Sequence, residues 1–262
     1  MRKQIVAIVL PSLIAIAGCS KSSTSGEAEG AAKPAEQPEL PALPAPEAPP
    51  ADEAPKAAEA AAKNMPKRME TTDTAADALG TLPKGVGIAP GSTVPALSLA
   101  NIDGATVELA SLTKDGPALV IFYRGGWCPF CNFQIQSLTK AYDQFKERGV
   151  TPVMISVDSP DEASKTSATY EIPFPVLSDG DLAAHKAFNV AFEVDADTLA
   201  KYKTYGIDLE AASGKDHHNL AVPSAFLIGT DNKVLWAHAD ADYKTRPSTV
   251  QLLTALDATL TK

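Results

Sequence analysis

The stretch that most constrains this chain is a continuous apolar run, "PALVIFY". It stops at Tyr123 and leads through Arg124, Gly125, Gly126 and Trp127 into Cys128-Pro129-Phe130-Cys131. A run of strand length without polar alternation is a strand covered on both faces. Past the cysteines, Ile135, Leu138, Tyr142 and Phe145 recur at helical spacing, and Gly149 after "KER" reads as a stop signal. "VTPVMISVD" reads as a second buried strand. Strand, helix and strand of these lengths imply a right-handed crossover onto a parallel sheet. The two cysteines therefore fall where the first strand hands over to the helix.

The flanking segments extend this plan. "TVPALSLANIDGATVEL" alternates on both sides of Asp103-Gly104, a hairpin signal. "SPDEASKTSATYEI" predicts a helix capped by Ser159 or Asp161, and "FPVLSD" a short strand. "GDLAAHKAFNV" and "DADTLAKYKTYGI" predict short helices, the second opened by Asp195 and Asp197, where carboxylates offset the dipole. "SAFLIGTDNKVLWAH" reads as two strands turning at Asp231-Asn232, and "STVQLLTALDATLTK" as a closing helix with Val250, Leu253 and Leu256 on one face. This order predicts an α/β, thioredoxin-like fold, a central mixed sheet flanked by helices.

The amino-terminal third has another character. Arg2 and Lys3 precede a mostly apolar run from Ile5 to Ala17, too short to span a bilayer and shaped like a secretory signal. Residues 1–18 end in Ile16-Ala17-Gly18 before Cys19, which resembles the lipobox of bacterial lipoproteins; that resemblance implies lipid on Cys19. Residues 19–84 are rich in Ala, Pro and Glu, and "EGAAKPAEQPELPALPAPEAPPADEAPK" cannot bury enough surface to offset its chain entropy. A flexible coil of about 65 residues has an end-to-end distance on the order of 45 Å, so the segment reads as a disordered tether. Residues 85–262 are then the folded domain. The net charge of −9 argues against a nucleic-acid partner. By analogy with lipoprotein sorting, Ser20 after Cys19 implies an outer-membrane anchor facing the periplasm. With Cys19 lipidated, Cys128 and Cys131 are the remaining thiols of the chain's three cysteines.

Over the folded part the chain resembles the peroxiredoxin-like branch of the alkyl hydroperoxide reductase/thiol-specific antioxidant family. The pieces that carry this are "PALSLANIDGATVEL", "FYRGGWCPFC", "VPSAFLIGTDNKV" and "DADYKTRPSTVQLLTAL". The resemblance implies an antioxidant thiol peroxidase without a cofactor, recycled by an external dithiol such as a thioredoxin. It also implies that Val222 and Pro223 lie opposite the cysteines, joined by a cis peptide bond.

Both sulfurs lie near a predicted helix amino terminus, with Arg124 adding positive charge, and this combination favours a thiolate. The family signature is Pro-xxx-Thr/Ser-xx-Cys. Cys131 falls at its peroxidatic cysteine, but Cys128 stands at the Thr/Ser and Arg124 at the Pro. The arginine usually carried by the later strand would come near Val222, where none is found. Those departures resemble the thioredoxin pattern, in which Cys128 would attack a protein disulfide and Cys131 would resolve it. In the peroxidase order, Cys131 attacks and Cys128 resolves. A third reading is copper handling, with His217 and His218 joining the cysteines; a structural zinc site would need two further ligands. Trp127 is expected to shield the disulfide or shape the substrate groove, and Pro129 and Phe130 to tune disulfide stability and access. Arg246 either approaches the site or anchors the last helix. His185 and His238 lie within predicted elements and read as partly buried rather than functional.

Overall fold

The computed structural model describes residues 70–261. The signal segment, Cys19 and the tether up to residue 69 lie outside the described residues. Among the described residues no helix is long and apolar enough to cross a membrane.

β4 (Ala118–Phe122) lies within a seven-stranded mixed sheet. It pairs parallel with β5 (Thr151–Ser156), which pairs parallel with β6 (Val176–Ser178). On its other side it pairs antiparallel with β9 (Ser224–Ile228), which pairs antiparallel with β10 (Val234–Ala239). The hairpin β2 (Ser98–Asn101) and β3 (Thr106–Glu108) extends the sheet beyond β6. The sheet order is β10-β9-β4-β5-β6-β2-β3. Alternation along β4 explains its unbroken apolar sequence. Leu119, Ile121 and Tyr123 meet one buried cluster, which contains Ile135, Leu138, Leu252, Leu256 and both cysteines. Ala118, Val120 and Phe122 meet the other, which contains Phe188 and Phe226. Each such large side chain contributes about 1.5–3 kcal/mol on burial, so both faces of the sheet are core.

The expected crossover helix is two helices. α1 (Pro129–Lys140) ends where Ala141 leaves helical geometry at φ −100° and ψ 8°, and α2 (Tyr142–Glu147) follows. Gly149 then turns the chain at φ 66°. α3 (Pro160–Tyr170) is capped by Ser159, whose side chain accepts from the Glu162 N–H. α4 (Ala183–Ala187) and α5 (Ala196–Thr204) follow as the sequence predicts, and Asp195 caps α5 through the Thr198 N–H. α6 (Leu209–Ser213) was not anticipated, nor was the ribbon of β7 (Ala191–Glu193) and β8 (Asn219–Ala221).

The closing helix, α7 (Thr249–Leu260), buries Leu252, Leu253 and Leu256, whereas Val250 is 73% exposed. The expected Val250–Leu253–Leu256 face is therefore rotated. Ser248 and Gln251 form a capping box that fixes the first turn and leaves Val250 in solvent. The residues before Gly85 also depart from expectation. β1 (Thr72–Asp73) pairs parallel with β11 (Thr245–Arg246), so this end of the expected tether lies on the folded body. Its polar composition hides this, because hydrogen bonds rather than apolar burial attach it.

Candidate active site

The site is built where β4 ends. Gly125 carries φ 150°, and a Cβ there would sit 2.3 Å from Trp127 Nε1 and 2.7 Å from Asp158 Oδ1. Only glycine lets the loop pass between those two buried atoms. The Gly126 N–H donates to Asp158 Oδ2 at 2.8 Å, and Asn132 Nδ2 donates back to the Gly126 carbonyl at 2.8 Å. The Cys128 N–H donates to the Gly125 carbonyl at 3.1 Å, closing the turn that starts α1. Cys128 is the N-cap and Pro129 the first helical residue, where a missing N–H costs nothing. Cys131 therefore lies in the first turn, among unpaired N–H groups that favour an anion.

Both cysteines are free thiols and both are buried. Two buried arginines flank them. Arg246 Nη2 donates to Cys131 Sγ at 3.3 Å, while its Nη1 donates to Gln134 Oε1 at 2.9 Å and Nη2 also reaches the Tyr243 carbonyl at 3.2 Å. Arg124 Nη1 lies 3.9 Å from Cys128 Sγ, and Nη2 donates to the Tyr202 hydroxyl. The Arg124 guanidinium packs over three rings, 4.3 Å from the centre of Tyr243, 5.0 Å from Trp127 and 5.6 Å from Tyr202. Trp127 and Tyr202 contact each other, as do Phe130 and Tyr243.

This environment separates the two sulfurs. Burial raises the Cys128 thiol well above its ordinary value, and its hydrogen bond to Cys131 raises it further. Burial opposes ionisation of Cys131 too, but the Cys128 S–H bond and the charges of Arg246 and Arg124 outweigh it and lower the thiol. The arrangement thus favours a Cys131 thiolate receiving a hydrogen bond from a neutral Cys128. Asp158, just past β5, is buried as well, and desolvation pushes its carboxyl up to about 7.

Cys128, Cys131, Arg124, Trp127 and Phe130 lie together at this end of the sheet, with Pro129 opening the helix. Arg246 approaches the site, which settles its two readings: the missing positive charge comes from β11 rather than from beside Val222. Val222 and Pro223 are buried, but Val222 packs with Val86 and Ala239, apart from the cluster holding the sulfurs. The Val222–Pro223 bond is trans, correcting the expected cis bond. The chain there passes directly from β8 to β9, with the Val222 N–H on the Val190 carbonyl. His217 Nε2 meets the Gly180 carbonyl at 3.0 Å and His218 Nε2 meets Glu210 at 2.7 Å, so neither ring turns to the cysteines. Among the described residues no group of three His, Cys, Asp or Glu side chains could hold a metal ion. His185 pairs with Asp179 at 2.6 Å and His238 with Asp240 at 2.8 Å; both rings are fully rather than partly buried. Tyr202, Tyr243, Gln134 and Asp158 escape the sequence reading. Tyr202 and Gln134 lie on two helices and Asp158 and Tyr243 in connecting segments, and no local motif marks them.

Two cysteines one turn apart at a helix amino terminus, on a thioredoxin-like sheet, form a pair placed for cysteine redox chemistry. Residues 90–237 match the AhpC/TSA family, and the chain belongs to it. It is 31% identical over 121 residues to chloroplastic peroxiredoxin Q of Sedum lineare, covering 46% of this chain and 64% of that protein. It is 31% identical over 140 residues to the Populus jackii protein of the same name, covering 53% and 65%. The chain thus spans just under two thirds of the length of these two relatives. Among solved structures, peroxidoxin BcpB of Mycobacterium tuberculosis superposes with a TM-score of 0.51 at 22% identity, over 66% of this chain and 97% of that one. A PrxQ mutant of Xylella fastidiosa gives 0.52 at 19% identity, over 66% and 98%. These likenesses establish the fold.

Proposed function

We propose that the protein is a peroxiredoxin-Q-like thiol peroxidase in which Cys131 attacks the peroxide and Cys128 resolves the product. The observation that carries this reading is the hydrogen bond from Arg246 to Cys131 Sγ, beside a Cys128 thiol that burial keeps protonated. A hydrogen bond from a charged donor is worth about 1.5–3 kcal/mol, enough to select which sulfur ionises. The Cys131 thiolate takes the terminal oxygen of the hydroperoxide, the O–O bond breaks, and the alkoxide leaves as alcohol after gaining a proton. Cys131 is then a sulfenic acid. Cys128 attacks it, forming the disulfide and releasing water. An external dithiol restores both thiols by exchange and is itself oxidised to a disulfide. The names of the curated relatives support the peroxide as substrate.

Peroxide consumption by the unmutated chain and by Cys131→Ser and Cys128→Ser variants tests the order. Cys131→Ser should abolish turnover. Cys128→Ser should retain a single turnover and leave a sulfenic acid on Cys131 that a 1,3-dione captures. If the unmutated protein consumes no peroxide and Cys128 alone traps a protein disulfide, the chain is a disulfide oxidoreductase instead.

We further propose that residues 1–18 are a lipoprotein signal, that Cys19 carries the lipid, and that residues 20–69 tether the domain to the bacterial envelope, at the periplasmic face of the outer membrane. The lipobox-like sequence supports this. Loss of fatty-acid labelling and of membrane fractionation in a Cys19→Ser variant is the expected result; unchanged fractionation refutes it.

A further inference from the structure

We propose that the segment Thr72–Gly80 is a positioning strap that holds Arg246 against Cys131. Among the described residues, the strand partner of β11 is β1, and β11 carries Arg246. The Thr72 N–H donates to the Lys244 carbonyl at 3.0 Å, and the Thr74 N–H donates to the carbonyl of Arg246 itself at 3.1 Å. Thr74 is buried and every polar group it has is engaged. Its carbonyl accepts from Gln251 Nε2 at 2.6 Å, on α7. Its hydroxyl donates to Asp240 Oδ2 at 2.9 Å, just past β10. One residue of the strap therefore ties the strand that carries the arginine to α7 and to the exit of β10.

A second lock lies behind it. The Gly80 N–H donates to His238 Nδ1 at 3.2 Å, which places the ring proton on Nε2, facing Asp240 Oδ2 at 2.8 Å. Trp236 stacks on the same ring. Thr74, Asp240, His238 and Gly80 thus join both ends of the strap to β10 and its exit. Without it, among the described residues the backbone of the short β11 strand keeps its own turn, the Thr245 N–H on the Asp242 carbonyl at 3.0 Å. The guanidinium would then have to hold its contacts to Gln134 and Cys131 from a loosely attached loop. A charged hydrogen bond at 3.3 Å weakens steeply with distance and angle, so small backbone movement is felt at the sulfur. Thr74 is a positioning residue, acting on the thiol through Arg246.

The inference rests on Cys131 being the ionised sulfur, and its test reads ionisation directly. In a full chain carrying Cys19→Ser and Cys128→Ser, Cys131 is the one thiol, and its ultraviolet thiolate absorbance is followed against pH. Thr74→Pro removes both the N–H and the hydroxyl. It should move the titration midpoint up by about one unit, a tenfold loss of thiolate below the midpoint. Arg246→Ala should move it at least as far, and adding Thr74→Pro to Arg246→Ala should move it no further. An unmoved midpoint in Thr74→Pro, or a further shift in the double variant, overturns the proposal. Should Thr74→Pro fail to fold, Thr74→Val decides: loss of the Asp240 bond should shift the midpoint in the same direction, and no shift refutes the strap. Peroxide turnover of the unmutated chain is measured separately. If it is absent while the midpoints move as stated, the peroxidase reading falls and the strap stands.

Discussion

Replacing Asp158 by asparagine should change how stability depends on pH more than it changes the fold. The carboxyl is buried, with Oδ2 accepting from the Gly126 N–H at 2.8 Å and Oδ1 without a partner among the described residues. Desolvation raises it from 3.8 to about 7, against the opposing hydrogen bonds of Gly126 and Ser156. Between those values the folded protein holds a proton that the unfolded chain has released. Unfolding free energy should therefore fall as pH rises through this window, and the loss is complete above the folded value. A carboxyl moved that far corresponds to about 4 kcal/mol, and water penetration brings the expected effect to about 2–4 kcal/mol. Asparagine keeps the acceptor for Gly126 and cannot ionise. Urea unfolding from about pH 4 to pH 8 should be run on the parent and on Asp158→Asn, both carrying Cys19→Ser, Cys128→Ser and Cys131→Ser so that no thiol titrates. The parent should lose stability relative to the variant as pH rises. Parallel curves would show that this carboxyl ionises in the folded protein as it does in water.

Three further outcomes follow from the same contacts. Arg124→Leu removes a guanidinium stacked on three rings, each such contact being worth about 0.5–2 kcal/mol, so unfolding free energy should drop by about 2–4 kcal/mol; a change below about 0.5 kcal/mol by urea titration would mean the stack is energetically idle. Gly125→Ala should destabilise by more than 1 kcal/mol, because the added methyl meets Trp127 and Asp158 at a backbone angle foreign to alanine; an unchanged tryptophan emission spectrum and melting curve would contradict this. Leu256→Ala should cost about 2–5 kcal/mol while Val250→Ala stays within about 0.5 kcal/mol. Equal losses by denaturation would refute the assigned face of α7.

What the sequence discloses and what it conceals divide along physical lines. The run from Ala118 to Phe122 and the helical spacing of Ile135 and Leu138 are repeated local signals, so the strand, crossover and cysteine placement are legible. Val250 misleads because a three-residue apolar spacing does not reveal where the first turn is capped. Tyr202 is concealed for another reason, and Arg246 is legible only as one of two alternatives. Arg246 meets Cys131 directly and Tyr202 meets Arg124, each from a part of the chain far off in sequence, and a single residue carries no periodicity. The strap is hidden most thoroughly. Thr72, Asp73 and Thr74 follow an Ala- and Pro-rich tract, and nothing in their composition announces a strand that borrows its partner from the far end of the chain.

The spacing of the two sulfurs on α1 has a consequence for survival under oxidant. In the proposed peroxidase order, a sulfenic acid on Cys131 would go forward by meeting Cys128 or be lost by meeting a second peroxide and becoming a sulfinic acid. The first step is intramolecular and needs no diffusive encounter; the second scales with peroxide concentration. A resolving thiol on a distant element would have to wait for local unwinding, giving the second peroxide time. Here the partner sits at the cap of the same helix. In the proposed order the damaging branch would gain ground only at very high peroxide doses, whereas a resolving thiol on another element would yield to it sooner.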